Sequence, residues 1–525
     1  MEAACIRQTD LPGTSRLFAD FSYHFDRVAR FYRHDPHNPA SFDGVVREID
    51  YPDSRRAALV QALASQNPAS QNSGATDSLA RLALPGTVAI VTGQQVGLFG
   101  GPAYTIYKAL TAVRLARELS ARGIPAVPIF WLASEDHDFP EVSNTFTFNA
   151  ADEPVRLHIE PPEDAAGRPR PVGELRIGHP PIEELRRSLA GFPYGDEVAA
   201  LVEAAYIPGV TMTQGFRALL RKTLPKAELL TLDPLDPNIR AIAAPLMADA
   251  LSAAPELKAR LLERNRELAE AGYHAQVLVE PKTSLFFLLK DGERTPLRRK
   301  DSEFASLPDQ AAEISPNALL RPVMQDYLLP TAAYIGGPGE LAYLAQSSVI
   351  YDRLLGRMPV VLARSSFTLL DMRAAKLLAR YKLTIPEALV YEEALKERLA
   401  AALIPESIER AFVDTSGEIE RRLSRLGEEL ESFDSTLAAS LSKSRAKITY
   451  QLEKARRKTA REILRRDARA TSDAQHLNGL LFPHRHLQER FYSILPFLAK
   501  HGLDLVDQLQ DNVRLDCPDH RVLTV

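Results

Sequence analysis

Cysteine is nearly absent: Cys5 and Cys517 stand one near each end of a 525-residue chain. That scarcity argues against a disulfide framework, removes every thiolate-rich metal motif, and leaves no protein thiol as an obvious catalyst. Long apolar runs are missing too. No stretch approaches the roughly 20 apolar residues that span a bilayer, and the opening residues MEAACIRQTDLPG have neither a basic nor an apolar leader segment. A cytoplasmic protein with no membrane partner is expected. Charge of one sign is also lacking: 64 Lys and Arg against 68 Asp and Glu give a formal net charge of -4, which supplies no field for nucleic acid. Small molecules remain as partners. What is present is an ordinary globular composition, 45% hydrophobic and 25% charged, in a chain too long for one core, since domains run roughly 100 to 200 residues.

The clearest local pattern lies between 87 and 132. Thr87 to Thr92 is a short apolar, β-branched run; a Gly-rich segment follows; Pro102 to Arg122 has helical character; Gly123 and Pro125 stop it; Ala126 to Leu132 is a second run. Both runs are apolar at successive positions, as in parallel strands covered on both faces, with the helix as crossover. The fold class is therefore α/β. Core-like runs return at Ala275 to Glu280, Leu285 to Leu289 and Pro359 to Ala363. Beyond about Lys382, Ile419, Leu423, Leu426, Leu430, Phe433 and Leu437 fall at alternating steps of four and three, the a/d positions of a coiled coil. A stutter at Leu441 precedes Ile448, Leu452 and Ala455, so one long helix is expected to continue to about Ala470, in an intramolecular or dimeric coiled coil and as a natural dimerisation element. The organisation expected is a catalytic core at 1–149 and 271–381, an inserted connecting region at 150–270, a coiled coil at 382–475, and a C-terminal segment at 476–525 packing back on the core.

Three segments could carry chemistry. In the first, Gly93, Gln94, Gln95, Gly97, Gly100, Gly101 and Tyr104 join a strand to a helix; glycines allow close backbone approach, and a helix start favours phosphate or carboxylate. The spacing is neither a dinucleotide fingerprint nor a P-loop, and a tight turn needs the same glycines. The second starts at Trp131, the only tryptophan, and carries Glu135, Asp136, His137 and Asp138 at a strand's carboxyl end, where α/β sheets bind ligands. His137 suits a general base or a substrate-orienting role, and the carboxylates suit an ammonium or Mg²⁺; a solvated acidic turn is the plainer reading. In the third, Arg321 offers a carboxylate fork, and Tyr334, Gly336, Gly337 and Glu340 repeat the Gly-Gly-Pro helix entry. Ser365 and Ser366 follow another strand, and His484 and His486 read as surface or packing histidines. No metal site is expected.

The strings TGQQVGLFGGPAYTIYKALT, PIFWLASEDHDFPEV, SPNALLRPVMQDYLLPTAAYIGGPGELAYLAQ, ARSSFTLLD and LQERFYSILPFLAKHG, in that order, resemble the bacillithiol biosynthesis cysteine-adding enzyme family over most of the chain. The resemblance implies a ligase joining L-cysteine to the amine of glucosaminyl-malate. It also implies a Rossmann-like core akin to class I aminoacyl-tRNA synthetases, with inserted connecting segments and a coiled coil that pairs two chains. No literal HIGH or KMSKS string occurs; Gly100 to Tyr104 and Arg364 to Ser366 stand at the corresponding places. In the chemistry so implied, ATP with Mg²⁺ forms cysteinyl-adenylate over the Gly93 to Tyr104 loop. Arg321 and the helix start hold phosphate or malate, and His137 with Asp138 assists deprotonation of the amine. The residues offer no Cys/His cluster for a metal on the cysteine sulfur. A nucleotidyltransferase or ligase acting on another small acid, and a catalytically silent coiled-coil scaffold, are the alternatives.

Overall fold

The computed structural model describes residues 2–68, 73–162, 167–297 and 308–525. The chain divides into two compact units: Met1–Ala150 with Pro154–Leu369 and Glu489–Leu523, and Ala151–Glu153 with Leu370–Gln488 and Thr524–Val525. No described helix is long and apolar enough to cross a membrane.

The first unit is built on a parallel sheet of five strands: β1 (Val88–Gln95), β2 (Ala126–Ala133), β3 (Leu230–Leu232), β4 (Thr331–Gly336) and β5 (Val360–Ala363), in the order β5-β4-β1-β2-β3. Pairing runs unbroken from Val88 opposite Ala126 to Gln95 opposite Ala133. The alternation of side chains sorts the two faces. Ala89, Val91, Val127, Ile129 and Trp131 enter one core with Leu246, Leu257 and Leu344 from the helices Pro237–Ser252, Ala254–Glu270 and Pro338–Leu354. Val88, Ile90 and Ala126 enter the other with Leu115 and Leu119 of the crossover helix Tyr104–Ala121. A sheet covered on both faces has no solvent side, which is why its strands are apolar at every position.

Three expectations change. The Leu285 to Leu289 run forms no part of this sheet; Phe286–Lys290 pairs antiparallel with Glu293–Pro296 and Ile314–Pro316. Ala275 to Glu280 forms no strand. The third core strand comes instead from within 150–270, where Leu230–Leu232 is too short to announce itself by periodicity.

The second unit is helical. Its two longest helices, Glu406–Phe433 and Ser435–Arg466, pack on each other, so the single helix expected through this region is broken at Asp434. Asp434 is extended (φ -161, ψ 116) and its carboxylate accepts the Thr436 amide at 2.7 Å, capping the second helix. The ion pairs Arg456–Glu409 and Arg445–Glu420 tie the helices antiparallel, in one chain.

Candidate functional site

In an α/β sheet, ligands bind at the carboxyl ends of the strands where the strand order reverses. Here that place lies between β1 and β4: the chain runs outward from β1 to β2 and β3, then returns to the other side of β1 for β4 and β5. A cavity of about 320 Å³ opens there. Gly93, Gln94 and Gln95 line it from β1, Trp131 and Ala133 from β2, Tyr334 from β4, and Gly337 to Glu340 from the following helix entry.

Gly93 is dictated by packing. A Cβ on it would sit 2.8 Å from the Trp131 carbonyl oxygen and 2.9 Å from the Trp131 Cβ. Trp131 itself is 2% exposed, and its Nε1 has no hydrogen-bond partner among the described residues.

The floor is an ion pair. Lys108 Nζ donates to Gly93 O at 2.8 Å and to Gln94 Oε1 at 2.9 Å, and contacts Glu340. Glu340 also accepts from the Tyr334 hydroxyl (2.7 Å) and the Gly337 amide (2.8 Å). Burial opposes ionisation of Glu340, but the Lys108 ammonium, with these donors, holds its carboxyl below the usual range. Burial pushes Lys108 down. The start of the Pro338–Leu354 helix is thus already neutralised by its own Glu340, which caps Gly337.

Three further arginines face the cavity. Arg364 is held by Glu489 through two bonds of 2.9 and 2.6 Å, both side chains almost fully buried. Glu489 also accepts from the Ser366 hydroxyl and the Phe367 amide at 3.0 Å each. Among the described residues the Arg321 guanidinium donates only to the Tyr343 hydroxyl, at 3.4 Å. Neither Arg321 nor Arg490 is in an ion pair among the described residues, and both line the cavity. The Gln95 amide nitrogen donates to Asp136 (2.8 Å) and to Glu141 (2.7 Å), bringing two carboxylates together.

The acidic cluster is thereby dispersed. Glu135 is buried against Arg240, 2.8 Å away, in a structural pair. Asp138 caps the short Phe139–Val142 helix. Only Asp136 of the three lines the cavity; burial opposes its charge, yet the Gln95 donor, the Arg294 guanidinium and the His137 amide keep its carboxyl below the usual range. His137 lies outside the lining. Its Nδ1 accepts from Arg294 at 3.0 Å, and burial and that charge push its pKa down. The ring is neutral, with its proton on Nε2.

The remaining expected residues divide likewise. Tyr104 lines the cavity and receives the Gln94 amide at 3.2 Å. Gly97, Gly100 and Gly101 do not; Gly100 and Gly101 have φ of 87° and 67°, and their amides close the turn on Gly97 and Leu98. The Ala103 amide is taken by the Tyr492 carbonyl. The amides of Gly100, Gly101 and Ala103 are thus already taken by backbone carbonyls. Gly336 supplies a carbonyl to the Arg364 amide, and Ser365 and Ser366 lie behind Arg364, with Ser366 bonded to His520 at 2.5 Å. Lys108, Glu141, Gln325, Tyr343 and Arg490 join the site without having been singled out, and Arg364 joins it from the segment that carries Ser365 and Ser366. Lys108 was the detectable one: a lysine four residues after Tyr104, set among the buried Ile106, Ala109 and Leu110 of the helix.

Against known proteins, residues 1–365 match the family model described as bacillithiol biosynthesis BshC, N-terminal Rossmann-like domain, and residues 367–525 match the corresponding C-terminal coiled-coil domain. A protein of Solibacter usitatus (strain Ellin6076) is 51% identical over 534 residues, covering 100% of both chains. One of Koribacter versatilis (strain Ellin345) is 36% identical, covering 99% of each, and one of Salinibacter ruber is 33% identical, covering 97% of this chain and 96% of its own. All three carry the name "Putative cysteine ligase BshC".

Proposed function

The chain belongs to the BshC family of bacillithiol biosynthesis, and from that premise we propose that it is the ligase joining L-cysteine to the amino group of glucosaminyl-malate. The observation that carries the reading is the charge division of the cavity. Two arginines in no ion pair among the described residues, Arg321 and Arg490, line the same space as the carboxylate pair Asp136 and Glu141. An aminated sugar bearing a dicarboxylate is matched to that division: malate against the arginines, amine against the carboxylates.

Joining a carboxylate to an amine in water needs an activated acyl group, and ATP with Mg²⁺ supplies it. The oxygen pair of Asp136 and Glu141 has the chemistry for either an ammonium or Mg²⁺. The chain's own residues bind and orient. Arg321 and Arg490 hold anionic oxygens; Trp131 Nε1 and Arg364 Nε, both buried without partners, offer two further donors to a ligand's acceptors. Lys108 and Glu340 fix the end of β1 and the helix entry after β4 against each other. His137 is assigned to holding Arg294 beside Asp136 rather than to proton transfer, since its Nδ1 is already an acceptor. The coiled coil is proposed to pair two copies of the chain, a reading supported by the exposure of Leu426, Phe433, Leu437 and Ile448 along it.

The test is mass spectrometry of purified protein with glucosaminyl-malate and cysteine, with and without Mg-ATP. ATP-dependent condensation product with AMP release is expected. Product without ATP would point to another acyl donor, and no product in either mixture would remove the assigned reaction.

A further inference from the structure

The two cysteines are nearly as far apart in sequence as the chain allows, yet the fold brings them together. Glu2–Ile6 and His520–Thr524 are neighbouring strands of a three-stranded sheet completed by Phe367–Leu370. Just beyond the cysteines, the Gln8 amide side chain donates to the Pro518 carbonyl at 3.0 Å, and the Tyr23 hydroxyl donates to Asp519 at 2.7 Å while accepting the Gln8 backbone amide at 2.7 Å. Residues 5–8 and 517–519 are thereby fixed side by side. The Cys517 side chain is near enough to the Cys5 thiol to influence its ionisation. Both are free, Cys5 exposed and Cys517 half-buried, so a small reagent can reach the pair.

We propose that Cys5 and Cys517 are a thiol–disulfide exchange site that takes low-molecular-weight disulfides and closes into a bond between the two ends of the chain. One cysteine thiolate attacks a sulfur of the small disulfide RSSR, forming a mixed disulfide and expelling RS⁻. The second thiolate displaces the remaining RS⁻ and forms the Cys5–Cys517 bond. Two protein thiols are oxidised, one RSSR is reduced to two RSH, and the two thiol protons end on the released thiols.

Two features shape the exchange. Burial and the neighbouring thiol raise the Cys5 pKa against the opposing charge of Arg521, so the reaction gains rate as pH rises. The strand that follows Cys517 carries His520, whose two ring nitrogens meet the Ser366 and Thr368 hydroxyls directly behind Arg364. The bond therefore secures the strand backing a cavity residue. This site stands apart from the ligase reading and survives its failure.

The experiment uses the full chain and 2-hydroxyethyl disulfide as probe, followed by intact mass and non-reducing peptide mapping. The expected result is loss of two hydrogens, one cross-linked peptide containing both cysteines, and full reversal by dithiothreitol. Cys5→Ser, at an exposed position, should stop at a mixed disulfide on Cys517, and Cys517→Ser at one on Cys5. Overturning results are a parent protein that carries a half-disulfide on each cysteine with no internal bond, one whose cysteines both remain open to alkylation, or one cross-linked only between chains.

Discussion

Glu489→Gln is the most demanding test of how the cavity is supported. Glu489 receives four hydrogen bonds: two from Arg364, one from Ser366 and one from the Phe367 amide. Both members of the ion pair are buried, and although burial opposes each charge, the pairing lowers the Glu489 pKa and raises that of Arg364. The glutamine keeps the volume and one acceptor oxygen but turns an amide nitrogen toward the guanidinium and removes the charge it is paired with. Removing one partner of a buried pair costs about 3–5 kcal/mol, because the survivor stays buried and uncompensated. Urea unfolding should show that loss as a lower midpoint with unchanged slope. Replacing both residues, Arg364→Met with Glu489→Met, should cost less than the sum of the single changes, the signature of a coupled pair. A Glu489→Gln midpoint corresponding to less than about 1 kcal/mol of lost stability would refute the reasoning.

Other outcomes can be stated briefly. Arg321→Ala and Arg490→Ala should each raise KM for the anionic substrate roughly 10- to 100-fold in steady-state kinetics, the worth of about 1.5–3 kcal/mol for a hydrogen bond to a charged group; unchanged KM in both would move the anion elsewhere. His137→Gln should hold kcat within about 5-fold of the parent, whereas a loss of several orders of magnitude with an intact fold would restore it as a base. Gly93→Ala should cost about 1–3 kcal/mol by forcing β1 and β2 apart at Trp131, and should shift the emission of that single indole. In the second unit, burial opposes the charge on His476, but hydrogen bonds to Asp152 and Asp371 raise its pKa. A raised pKa stabilises the fold fully below the unfolded value of about 6.5 and loses that contribution as pH rises through the folded one. Hydrogen exchange in that unit should therefore quicken, from pH about 6.5 upward, more in the parent than in His476→Gln.

The strands β1 and β2 were legible because a strand covered on both faces must be apolar throughout, and their crossover helix because glycine and proline bracket it. The pairing of β1 with β4 was not, since it joins residues more than 200 positions apart and no local pattern encodes it. That pairing decides which residues share the cavity. It brings Gln94 to Glu340 and Arg321, and leaves Gly97 and Gly101 in a turn. Adjacent acidic residues were indistinguishable for a related reason: Glu135 and Asp136 differ only in the direction each faces as the chain leaves β2, and one meets Arg240 while the other meets Gln95. The heptad spacing read correctly through Phe433, but a spacing rule passes over a cap. Asp434-Ser435, an acceptor followed by a fresh helix, was the overlooked stop signal.

The reversal at Asp434 makes arm length a quantity the sequence can change freely. Because Glu409 answers Arg456 and Glu420 answers Arg445 across the same fold point, the two helices are read in opposite directions from one hinge. Seven residues removed near the tip of one helix slide its remaining side chains past their partners, and seven removed from each restore the match. Variation along this arm should therefore come in balanced pairs, with compensating insertions or deletions on either side of the tip and the helix roots left untouched.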